Sequence, residues 1–66
     1  MHHEVIESIK SHLGESFPEV ERTMRELVFY GCTQERFESI LAVVGIDIYT
    51  ADVWFRNITA EQQSHN

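Results

Sequence analysis

Cysteine, proline, glycine and basic residues are all scarce in this 66-residue sequence, and each shortage removes a class of protein. Cys32 is the only cysteine, so no intramolecular disulfide can form and no thiolate set exists for a structural zinc. The three glycines stand alone at 14, 31 and 45 and offer no phosphate-cradling loop. Five lysines and arginines face eleven acids, for a formal charge of −6. They cluster nowhere: residues 1–31 hold three bases and six acids, and residues 33–57 hold two and four. A nucleic-acid surface needs several phosphate contacts from such a cluster, so the charge argues against DNA as the main partner and against an anionic membrane. The longest apolar run, Ile40 to Val44, is far short of a membrane span. Met1-His2-His3-Glu4 lacks the basic and apolar segments of a secretory signal, and the expected location is cytoplasmic. On that expectation the sequon Asn57-Ile58-Thr59 is a chance match.

What the chain does contain is helical periodicity. Its hydrophobic fraction of 42% suffices for one modest core. Val5, Ile6, Ile9 and Leu13 recur at helical spacing before Gly14, predicting a helix over 3–13. Ser16-Phe17-Pro18-Glu19 reads as a capping box opening a second helix over 17–30, with Val20, Met24, Leu27 and Val28 as its stripe. Glu21 with Arg25, and Arg22 with Glu26, are opposite charges four apart on its wet side. Thr33 caps a third helix over 34–44, whose core face is Phe37, Ile40, Leu41 and Val44, with Gly45 as the stop. The β-branched run Ile46 to Tyr49 admits a short strand over 43–49, but a turn is preferred, followed by a fourth helix to residue 58 starting at Thr50, or from Asp47 as cap. The expected fold is therefore all-α, a compact bundle of about four short helices in one domain over 1–59, with 60–66 a frayed polar tail.

Catalytic and metal chemistry find little support. No histidine lies near Cys32 in sequence, the serines occupy no nucleophile motif, and the acids are spread as solvated faces. Cys32 reads as a small buried hydrophobe able to pack on Phe37. A free amine followed by His3 can wrap Cu(II) or Ni(II), and His3 and Glu7 are four apart, yet no third ligand is fixed nearby. His12 and His65 read as surface residues. Neither an enzyme nor a cofactor or metal site is expected.

Residues Arg25-Glu26-Leu27, Gly31-Cys32-Thr33-Gln34-Glu35, Val44-Gly45-Ile46-Asp47 and Thr50 to Trp54 resemble repressor-type helix-turn-helix domains over 25–57. The resemblance implies a DNA-binding transcriptional regulator, with Tyr49, Thr50, Asp52 and Arg56 facing the groove. The chain departs from the pattern in two places. The stretch Thr33 to Gly45 is about three residues too long for the pattern, and the recognition helix sets one arginine against one aspartate.

Aromatics in the same region support a different expectation. Phe29, Tyr30, Tyr49, Trp54 and Phe55 exceed what one narrow helix face can hide, and aromatic anchors ringed by acids are hot-spot material. The leading expectation is a non-enzymatic regulatory or adaptor protein. It binds another protein with a basic surface through those five residues, as an inhibitor of that partner in one version, and a symmetric homodimer is its simplest assembly.

Overall fold

The computed structural model describes residues 3–63, and every regular element among them is helical. In chain order these are α1 (His3–Leu13), a 3₁₀ turn (Gly14–Ser16), α2 (Phe17–Phe29), α3 (Gln34–Val43) and α4 (Ile48–Gln63). The chain is all-α and compact, with a Cα radius of gyration of 11.1 Å, close to the ~11 Å expected for its length. Among the described residues, no helix is long and apolar enough to cross a membrane.

The count of about four separate helices is not matched. Helical residues run unbroken from His3 to Phe29, so three helical stretches result: 3–29, 34–43 and 48–63. Gly14, expected as a stop, instead adopts φ +59 and bends the path while the 3₁₀ turn carries it on. That turn also overturns the capping box. Ser16 sits at φ −78, ψ −13, an α-like conformation rather than the extended one of a cap, and its side chain caps nothing. Pro18 occupies the first turn of α2, as expected.

The later boundaries follow their signals closely. Thr33 is extended and its Oγ1 accepts from the Arg36 amide at 3.1 Å. Helices α2 and α3 end in the same Schellman hydrogen-bond pair. Gly31 N–H donates to Val28 O and Cys32 N–H to Leu27 O; Gly45 N–H donates to Ala42 O and Ile46 N–H to Leu41 O. Both motifs require the left-handed backbone that Gly31 and Gly45 supply, at φ +89 and +86.

Helix α4 starts as the Asp47-cap alternative expects, ahead of Thr50, and runs past residue 58. It begins at Ile48, because Asp47 acts as its cap: the carboxylate accepts from the Thr50 amide at 3.2 Å and from the Thr50 hydroxyl at 2.7 Å. The alternative strand over 43–49 is not formed among the described residues. At its far end, residues 60–63 are helical rather than frayed. Tertiary anchors hold them: Gln62 Nε2 donates to Arg25 O at 3.1 Å, and Glu61 accepts from Arg25 Nη1 at 2.7 Å. Arg25 also donates from Nε to Glu21 at 3.3 Å, the helix pair expected from sequence. Residues 64–66, the rest of the expected tail, lie outside the described residues, as do His65 and the first two residues of the Met1-His2-His3 motif.

The core collects residues from all four helices and from the α3–α4 turn: Ile9, Phe17, Met24, Phe37, Leu41, Ile46, Ala51, Trp54 and Ile58. At its centre is Trp54, fully buried. Its ring stacks on Phe17 at 6.1 Å between centroids and meets Phe37 edge-on at 5.9 Å, so one side chain of α4 ties α2 to α3. Phe55 adds a second edge contact to Phe37 at 5.2 Å. Lys10 of α1 lies 5.6 Å over the Phe17 ring.

Candidate protein-binding surface

The core accounts for two of the five aromatics expected to dock a partner. Trp54 has no exposed surface, which removes it as an anchor; a side chain this large at an inward α4 position is what a small core uses first. Phe55 is half-buried against Phe37 and packed on the core. Phe29, Tyr30 and Tyr49 remain outside, at 69%, 81% and 69% exposure. They belong to two places. Phe29 and Tyr30 close α2 in an edge-to-face pair with centroids 5.1 Å apart, while Tyr49 is in the first turn of α4.

Tyr49 has apolar company that sequence reading missed. Val43, Val44 and Ile48 surround the same α3–α4 turn and are exposed, Val43 to 85%. Val44 was expected on the core face, but as the C-cap of α3 it turns outward. Val43 carried a legible signal: two residues on from Leu41, it stands about 160° round the helix from that core position. Ile48 carried none, because its place depended on where α4 starts.

The outer face of α3 continues this patch. Glu35, Glu38, Ser39 and Ala42, spaced three and four apart, line a shallow open cleft of about 330 Å³ whose other walls are Ile46 and Ile48. The acids around it are differently engaged. Gln34 donates to Glu38 at 2.9 Å and also to Asp52, and Asp52 further accepts from Arg56 Nε at 3.1 Å. The hydrogen bonds from Thr50 hold the Asp47 carboxyl below its ordinary value, so it is firmly anionic at neutral pH. The residues tied to groove reading, Tyr49, Thr50, Asp52 and Arg56, thus fall within the first nine residues of α4, with the single arginine already committed to the aspartate.

Elsewhere the chemistry is quieter. An apolar groove of about 540 Å³ runs between α1, α2 and α3, walled by Leu13, Val20, Met24 and Ile40, with His12 at its rim. His12 Nε2 donates to Val44 O at 2.9 Å, satisfying a carbonyl that the end of α3 leaves open. A polar cleft near Arg25 is lined by residues that pair with one another, Glu21, Arg25 and Glu61. Burial pushes the Cys32 thiol up, against a smaller pull from Arg36, and so disfavours the reactive thiolate. No group of three metal-ligating side chains occurs among the described residues.

Comparison with protein families, curated proteins and solved structures gives no match.

Proposed function

We propose that this chain is a non-enzymatic regulatory or adaptor protein that acts by binding another protein. One observation carries the reading: with the core already filled by Trp54, six large apolar side chains still lie exposed, grouped at two helix turns. Apolar surface left in such groups on a small domain is characteristic of an interface. The Phe29–Tyr30 pair is assigned to self-association. The α3–α4 turn is assigned to the partner, and the overall acidity steers the protein to a basic surface, consistent with an inhibitory role.

Photo-crosslinkers placed at Tyr30, at Tyr49 and at the exposed Ser8 of α1 test this in the native host. Position 30 should yield a dimer of the chain, position 49 a discrete heterologous adduct, and position 8 neither. Adducts from position 8 alone would overturn the assignment.

A second reading, a helix-turn-helix DNA-binding regulator, has one observation in its favour: α3 and α4 are joined by a four-residue turn containing Gly45. The Arg56–Asp52 pair and the neighbouring Glu35 and Glu38 weigh against it. On this argument duplex DNA is not bound even at low salt; tight binding lost steeply as salt rises would favour the regulator.

A further inference from the structure

We infer that the α3–α4 face docks a basic amphipathic helix of a different protein. The inference rests on the protein-binding reading above and names the class of its partner. Three features of the face point to that occupant. Its apolar part is Ala42, Ile46 and Ile48, continued by the exposed Val43 and Tyr49, a floor suited to the apolar stripe of a helix. The wall residues Glu35, Glu38, Ser39 and Ala42 span seven positions of one helix face, about 10 Å, or two turns of a partner helix lying alongside. The small Ser39 and Ala42 let that helix approach the α3 backbone.

Charge then selects among occupants. Two acids, Glu35 and Glu38, line the cleft, Asp47 stands in the turn beside it, and Asp52 of α4 is paired with Arg56; Arg36, the base on α3, is not among the lining residues. Gln34 is a neutral donor, so its hydrogen bond brings Glu38 no counter-charge, whereas Asp52 has Arg56. A second copy of this chain would bring the same acids against themselves, which costs binding. An acidic or neutral helix would leave Glu35 and Glu38 beside an apolar contact with no counter-charge. A helix carrying Lys or Arg on both sides of its stripe meets all of these demands.

Titration of the ¹⁵N-labelled full chain with three synthetic 18-residue helical peptides tests the assignment. All share a leucine stripe, flanked by lysines in the first, glutamates in the second and glutamines in the third. The lysine peptide should bind saturably, shift amides over 35–49, and lose about tenfold in affinity between 50 and 300 mM salt. Glu35→Lys with Glu38→Lys should weaken it about tenfold or more, as should Ile48→Asp, while Glu4→Lys with Glu7→Lys on α1, the same change of net charge, should not. Thermal unfolding of each variant separates lost binding from lost fold. Equal binding of all three peptides at 35–49 would sink the basic class and leave the docking surface standing. Binding of none would sink both, as would lysine-peptide shifts elsewhere. Shifts over 35–49 that depend on protein concentration without peptide would assign the face to a second copy instead.

Discussion

At the scale of single residues, Gly45 and His12 form a coupled pair. Gly45 needs a left-handed backbone, and a Cβ built there would sit 2.8 Å from His12 Nε2, the atom bonded to Val44 O. Gly31 has the same conformation in open space. Alanine at 31 should cost about 1 kcal/mol, and at 45 about 1–2 kcal/mol, because His12 must also yield its bond. In a His12→Ala background the two glycine substitutions should cost the same, as read by urea unfolding; an undiminished excess at 45 would mean that His12 is not its source. Such residue-level features were unevenly legible. The Thr33 cap and the glycine stops at 31 and 45 are local, and the sequence shows them. Ser16 has the same local signature as Thr33 but fails to cap, since the 3₁₀ turn before it sets its backbone first.

Among the elements, α4 is where local signals ran out. Its start depends on Asp47, whose carboxylate holds the Thr50 amide and hydroxyl. The folded-state pKa of Asp47 lies below its ordinary 3.8. The contribution of this cap is therefore fully present above about pH 4 and is lost as pH falls through the lower folded value. Asp47→Asn keeps a capping oxygen without the charge. It should match the wild type less well at pH 7 than in acid, the difference closing as the Asp47 carboxyl is protonated; a difference independent of pH would remove the charge from the account. The far end of α4 was illegible for another reason. Ala60 to Gln63 looks like a tail because it is polar, but its polar groups are what bind it: Glu61 and Gln62 reach Arg25, more than thirty residues away in sequence. Periodicity finds apolar faces and is blind to a helix held by long-range hydrogen bonds.

For the whole molecule, the one tryptophan decides how the aromatics divide between inside and outside. Trp54 contacts Phe17 and Phe37, and its Nε1 is buried with no hydrogen-bond partner among the described residues, so apolar packing alone holds it. Its fluorescence should be blue-shifted and insensitive to iodide, whereas an exposed ring would be quenched. Trp54→Ala should cost about 3–5 kcal/mol. That is most of the stability of a domain this small, so helical circular dichroism should collapse at 25 °C. All-α architecture was readable because helices α1 to α3 carry clean stripes. Which aromatics face water was not, because that depends on how three helices share one ring.

The position of that ring late in the chain also sets the order of events at the ribosome. Ile9, Phe17, Met24 and Phe37 are all made before Trp54 and Ile58, the residues that cover them. At about 5–20 residues per second, the stretch from Ile9 to Ile58 takes roughly 2–10 s to make, and the nascent chain carries an unfinished apolar surface meanwhile. During that interval it depends on chaperones or on the tunnel wall for protection, and slowing translation between codons 37 and 54 would prolong the exposure and raise aggregation without changing a single amino acid.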